Sequence, residues 1–493
     1  MLFNSLAFAL FLPVVFLLYW FVFNKSVRRQ NILVLLASYY FYGSWDWRFL
    51  SLIFLSSILD YIVGHKIYGT EDEKKRKRLL IVSIVFNLGM LGFFKYYNFF
   101  VDSFIALFST VGIQLTKGTL EVLLPVGISF YTFQTLSYTI DIYRRKLAPT
   151  KDPVAFFAFV AFFPQLVAGP IERAIDLLPQ FHRERKFHYK EATAGLRKIL
   201  WGLFKKVVVA DNIAKYVAIV YSSPEDYYGL SVILAMVLFT IQVYCDFSGY
   251  SDTAIGVAQL FNFKLAVNFR TPLQSQSMKE FWSRWHITLS SWFRDYLYIP
   301  LGGNRGTKAR WFSNLFITFL ISGLWHGASW AFVIWGALNG IYLIIEVLLK
   351  SFFEKFNKVI GLVKFPRLLT VIKVFITFNL FAFSLLIFRA ESGEDALVLI
   401  QHLLVNIGEQ ISSFSNFKEV IKEIFVNSRS LIYLMMSIGI LAIVDFTIGK
   451  RSIEDFIYKI PRPLRFGIYF FLIGWFLIFG AFENPQEFVY FQF

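Results

Sequence analysis

Residues 2–23 carry no charged side chain. At ~1.5 Å per residue a helix of that length crosses the ~30 Å hydrocarbon core of a bilayer. Comparable apolar runs recur at about 31–43, 48–63, 79–94, 120–140, 199–221, 229–247, 312–324, 327–349, 368–388, 430–448 and 466–482. Composition agrees, since only 17% of the 493 residues are charged while 57% are hydrophobic and 20% aromatic. A soluble domain covers its surface with about 25% charged residues, and disorder needs low hydrophobicity with high charge, so both are excluded. A membrane β-barrel would show segments of ~10 residues with alternating polarity, not continuous runs. The expected fold is all-α: a polytopic integral membrane protein with roughly 11–12 transmembrane helices, re-entrant segments and interfacial amphipathic helices.

Lys and Arg number 49 against 33 Asp and Glu, a net charge of +16. The excess does not form one stripe, as a nucleic-acid surface would. It falls in loops between apolar runs, at 71–78, 144–151, 172–198, 264–310, 350–367 and 450–465, the pattern that marks cytoplasmic loops. No basic residue precedes the first run, and Lys25, Arg28 and Arg29 follow it. This predicts a retained first helix with its N-terminus outside. The two basic loops 144–151 and 172–198 flank one apolar stretch, 153–170, which holds Pro164 and Pro170. A single crossing would put one loop outside, so a broken re-entrant segment is expected. No internal repeat or linker interrupts the chain, and residues 1–493 are expected to form one membrane-embedded domain, with 391–429 as an outer loop. The one cysteine, Cys245, excludes an internal disulfide and any multi-cysteine metal site. It reads as a packed thiol, and no metal is expected.

Of six histidines, His65, His182 and His188 sit in basic loops and His402 in the outer loop, where solvated surface roles are expected. His326 differs. It lies in Ser322-Gly323-Leu324-Trp325-His326-Gly327-Ala328-Ser329-Trp330. The apolar stretch 312–345 would be about 51 Å long as one straight helix, too long for a bilayer core. A hairpin or a broken helix at Gly323 and Gly327 would place His326 beside the break, where hydrocarbon penalises its charged form and a functional role competes with a structural one. His286 lies in 276–298. There Trp282, Trp285, Leu289, Trp292 and Tyr296 recur at helical spacing on one face, and Lys279, Ser283, His286, Ser290 and Arg294 on the other. The pattern predicts an interfacial helix with His286 turned to bulk water or to an internal cavity. Asp246 and Asp252 close an apolar span and need water, partners or a cavity. No G-x-S-x-G, H-E-x-x-H or P-loop spacing occurs.

At four stretches the chain resembles the membrane-bound O-acyltransferase superfamily, in the wording of its alginate O-acetylation branch. They are QVYCDFSGYSDTAIG (242–256), FWSRWHITLSSWFRDYLYIPLGGNR (281–305), SGLWHGASWAFVIWG (322–336) and FAFSLLIFRA (381–390). Weaker matches are FYGSWDW (41–47), PVGISFYTFQTLSYTIDIYRR (125–145) and FFPQLVAGPIER (162–173). The resemblance implies a family-like core over 1–390, with 391–493 adding the outer loop and last transmembrane helices. It implies that His326 is the catalytic histidine and that His286 takes the second polar position of the active-site tunnel. Asp246, Ser248, Tyr250, Trp325, Asn304 and Arg305, in the same stretches, are expected to contact substrate.

The resemblance further implies transfer of an acetyl group from a cytoplasmic thioester, acetyl-CoA, to a hydroxyl of an extracytoplasmic polysaccharide such as an alginate-like exopolymer or peptidoglycan. An SGNH-like transferase or esterase outside a bacterial cytoplasmic membrane would complete delivery, and no bound cofactor is needed. A hydroxyl attacks only as it loses its proton, which assigns a base to His326 and an oxyanion donor to His286 or a nearby amide. D-alanyl transfer toward teichoic acid is the nearest alternative. A transporter with a polar helix break belongs to another class, but it usually shows paired repeats. The basic residues of 264–310 read as topology signals before a donor-phosphate site.

Overall fold

The computed structural model describes residues 1–116, 122–425, 427–449, 453–482 and 486–489, and among them the regular elements are helices, with no strand. Seven helical stretches among the described residues are long and apolar enough to cross a membrane: Val27–Tyr68, Glu73–Thr110, Leu230–Leu260, Trp330–Val359, Pro366–Arg389, Ser428–Ile448 and Arg462–Phe479. The runs expected at 31–43 and 48–63 are joined in the first of these, through the short turn Trp47–Phe49. Other expected spans are shorter or interrupted. Leu6–Leu17 passes into a π-helical turn Leu18–Val22, and Tyr189–Leu203 reaches Asp211–Tyr221 through the π turn Phe204–Ala210. The run expected at 120–140 begins on residues outside the described set and is seen as the helix Ile128–Tyr143. The basic loop 450–465 likewise begins outside it. In Arg462–Phe479 only Leu472 is buried, whereas most of Leu230–Leu260 is. The first therefore offers its side chains to lipid, and the second is a core helix.

The residues group into two compact units, Met1–Ile199 with Thr253–Ala266, and Leu200–Asp252 with Val267–Phe493. In the first unit, helices Leu50–Tyr68, Glu73–Leu91 and Ile128–Tyr143 share a buried polar network. Ser83 and Asn87 donate to the Asp60 carboxylate at 2.6 and 2.8 Å, and Ser56 donates to Asn87 at 2.7 Å. Every member is hydrogen-bonded, the condition for keeping such groups away from water. The stretch 153–170 is broken, as its prolines predict. Asp152 caps Val154 and Ala155, Pro153 occupies the first turn, and the helix ends at Val160. Residues 161–172 then run buried without regular structure, their backbone held by turns at Phe162 and Gln165 and by Ser38 Oγ, which accepts from Phe163 N–H at 3.0 Å. Here Glu172 accepts the Ala266 N–H, and burial raises its carboxyl to about 8.

In the second unit the stretch expected as an outer loop is helical, at Gly393–His402, Ile407–Gln410 and Phe414–Ile424. Ser392 and Asp395 form a reciprocal capping box that starts the first of these. His402 is half-buried, and its Nδ1 lies 3.2 and 3.1 Å from the carbonyl oxygens of Pro224 and Tyr227. Of the other three surface histidines, His182 and His188 are exposed and His65 is half-buried.

Candidate functional site

The break at His326 is a hairpin. Thr307 caps the helix Lys308–His326, and Ser329 precedes the helix Trp330–Val359. Between them Gly327 is extended, and a Cβ there would collide with the Phe332 ring. The two helices pack closely because Gly323 and Gly336 face each other. A Cβ on Gly323 would strike the Phe332 carbonyl oxygen and come within 3.0 Å of Gly336 Cα. His326 is therefore the last residue of its helix, 3% exposed. Aromatic rings surround it edge-on: Trp335 at 4.8 Å, Trp325 at 5.1 Å and Phe388 at 5.8 Å between centroids.

The helix expected over 276–298 is not continuous. It divides into Met278–Arg284, Ile287–Phe293 and a π turn Arg294–Tyr298. The break falls on His286, whose backbone is left-handed at φ 42° and ψ 53°, unusual for a residue with a Cβ. Asn268 provides the cause. Its main-chain carbonyl accepts from Ile287 N–H at 2.9 Å, and its Oδ1 accepts from Thr288 N–H at 3.2 Å and Thr288 Oγ1 at 2.9 Å. These bonds satisfy the first amides of the new helix, which a continuous helix would have used internally. The ring of His286 is consequently turned inward and 1% exposed, which removes the bulk-water alternative.

Asn268 also sets the state of that ring. Oδ1 only accepts, so the 3.2 Å contact with His286 Nδ1 places the hydrogen on Nδ1 and the lone pair on Nε2 in the neutral form. The Thr288 N–H, which can only donate, fixes the amide's direction, and Asn268 Nδ2 then donates to Ser251 Oγ at 3.2 Å. Burial, with the nearby His326 adding to it, holds the His286 imidazole well below its usual range. Both histidines pack on one indole, Trp325, whose centroid lies 5.9 Å from His286 and 5.1 Å from His326. The Trp335 indole N–H is buried and has no hydrogen-bond partner among the described residues. It is a donor in reserve beside His326.

The first motif has another part in the structure. The π turn Phe204–Ala210 brings the adjacent Lys205 and Lys206 inside, both buried. Lys206 Nζ lies 2.9 Å from Asp211 and 2.7 Å from Asp246. Lys205 Nζ lies 2.6 Å from Asp252 and 2.9 Å from Ser248 Oγ. Asp246 and Ser248, expected at the substrate, are thus engaged by lysines, because a buried carboxylate needs its counter-charge. Tyr250 is buried against Phe488. Of the six expected contacts, Trp325 packs on both histidines. Asn304 and Arg305 are exposed in the turn before Lys308. Asn268, Trp335 and Lys206 were not singled out by sequence, and the only local signal was a pair of lysines inside an apolar run. Replacing Lys206 with Met strands two buried carboxylates and is expected to cost about 3–5 kcal/mol. Lys205→Met costs less, since Asp252 is 26% exposed. Thermal unfolding in detergent measures both, and equal losses would contradict the assignment.

The membrane-bound O-acyltransferase family model matches residues 144–388, which include both histidines. The chain is 42% identical to the probable alginate O-acetylase AlgI of Pseudomonas aeruginosa over 395 residues, covering 80% of this chain and 72% of that protein. It is 35% identical to the peptidoglycan O-acetyltransferase of Helicobacter pylori over 452 residues, covering 84% and 83%. Similarity to the teichoic acid D-alanyltransferase of Bacillus subtilis is lower, 29% over 280 residues, covering 54% and 69%. With its apolar spanning helices and these matches, the chain belongs to the membrane-bound O-acyltransferase family and is a multi-pass membrane acyltransferase.

Proposed function

We propose that this protein takes an acetyl group from acetyl-CoA on the cytoplasmic side of a bacterial inner membrane and passes it across for O-acetylation of an extracytoplasmic polysaccharide. An SGNH-type partner outside completes delivery, and the N-terminus lies on that outer side. The observation that carries the reading is the convergence of His286 and His326, from separate segments, on Trp325. The relatives named for alginate and peptidoglycan O-acetylation support acetyl over D-alanyl transfer, because they match more of the chain at higher identity.

In this reaction the acceptor hydroxyl forms a C–O bond to the thioester carbonyl, the C–S bond breaks, and the hydroxyl proton goes to a base and then to the thiolate. His326 is that base. Neutral His286 presents a lone pair at Nε2, so it accepts a proton and does not donate to the oxyanion. That donor role shifts to the buried Trp335 N–H or to a main-chain amide. The two imidazoles then form a pair that moves protons. Asp246, Ser248 and Tyr250 support the walls, Trp325 lines the reacting volume, and exposed Asn304 and Arg305 serve at its approach. Incubating the purified protein with a hydroxyl-bearing acceptor sugar and acetyl-CoA labelled in the acetyl group is expected to release free CoA and esterify the acceptor. Passage of intact thioester would favour a transporter, and turnover only of a D-alanyl carrier thioester would favour the teichoic acid reading.

A further inference from the structure

In the segment 486–489, Phe488 and Val489 are buried in the second unit, 1% and 5% exposed, while Gln486 is half-buried and Glu487 is exposed. Its seat is the charged cluster on the π turn. An ammonium has three donors and no acceptor. Lys206 directs its own to Asp211, to Asp246 and, at 3.1 Å, to the main-chain carbonyl of Gln486. Asp246 gives one oxygen to Lys206, and the other accepts the Val489 N–H at 2.7 Å. The segment thus completes the coordination of a buried lysine and a buried carboxylate. Ala481 N–H donates to Val207 O at 3.1 Å and Asn212 donates to Phe479 O at 2.8 Å, so the chain leaving the last helix is tied to the same turn.

From this seat Phe488 reaches the reacting histidine through one ring. Its centroid lies 5.5 Å from Phe247 and 4.9 Å from Tyr250, and Phe247 stands perpendicular to His286 at 4.5 Å. We propose that the segment 486–489 is a working part of the acyl-transfer site, with Phe488 a positioning residue that holds Phe247 against His286 and keeps water from that imidazole. The proposal rests on the reading of His286 and His326 given above. Its physical basis is that a ring held in place by packing keeps the reactive geometry, and a wall that excludes water keeps an imidazole neutral.

The test uses the full-length protein in lipid nanodiscs with acetyl-CoA as donor, and compares Phe488→Ala, Phe488→Leu, Val489→Pro and His326→Ala. Phe488→Ala is expected to lower kcat about tenfold, to leave KM for acetyl-CoA within about twofold, and to move the acid limb of the pH–rate profile to higher pH. Phe488→Leu recovers most of the rate. Val489→Pro, which removes the amide donor to Asp246 and also constrains Phe488 before it, reproduces the kcat loss if Phe488→Ala fails to fold. Unchanged kcat in folded Phe488→Ala and Val489→Pro, or loss only of thermal stability with normal turnover per folded molecule, would overturn the proposal. Full activity in His326→Ala would instead overturn the underlying reading of the site.

Discussion

Replacing His326 with Ala is expected to bring acetyl transfer down to background, a loss of about 10²–10⁴-fold, the range that a positioned general base supplies. The same protein should still be recovered folded from detergent. His326 ends its helix and packs among Trp325, Trp335 and Phe388, while the hairpin itself is set by Gly323, Gly327 and Gly336. Removing the imidazole therefore deletes the proton acceptor and leaves the turn intact. Transfer by the purified variant, measured per folded molecule as CoA released, checks it. Wild-type turnover would reject His326 as the base. A variant that cannot be recovered folded would show that the ring's packing matters more than its chemistry.

The second large effect is expected at His286. His286→Ala should lower kcat about 10²-fold, the lower end of the general acid–base range, and less than His326→Ala does. The order follows from geometry. Asn268 fixes the hydrogen on Nδ1, so the ring accepts at Nε2 and acts as the second proton acceptor of the pair. Asn268→Ala removes one hydrogen bond to the ring, worth about 1 kcal/mol net, and should therefore cost only about fivefold. If His286 instead donated to the oxyanion, Asn268→Ala would free the ring to carry its hydrogen on Nε2, and activity would hold or rise. The kcat ratio of the two variants separates these roles.

Much of the fold is legible in the sequence, because length and apolarity decide what can cross a bilayer. The turn at His326 was also legible, since a 34-residue apolar stretch at 312–345 holding Gly323 and Gly327 has to bend. The break at His286 was not. Trp282, Trp285, Leu289, Trp292 and Tyr296 keep helical spacing across it, and bonds from Asn268, 18 residues earlier, hold the helix broken there. Periodicity reports local preference and is blind to a distant capping group. Asp246 and Ser248 were recognisable as polar groups needing partners, yet the partners came from a π turn that no spacing rule marks. The helices in 393–424 were announced by the capping pattern of Ser392 and Asp395, but the many polar residues around it read as loop.

In the proposed reaction a buried histidine pair moves the protons while an acyl group passes from a thioester on one side of the membrane to a hydroxyl on the other. Inside-out membrane vesicles enclosing the acceptor polysaccharide and the SGNH-type partner, given labelled acetyl-CoA on the outer face, test it most directly. Label esterified to lumenal polysaccharide in wild-type vesicles, and absent from His326→Ala vesicles of equal protein content, is the predicted result. Equal labelling in both, or CoA release with no label reaching the lumen, would contradict the account.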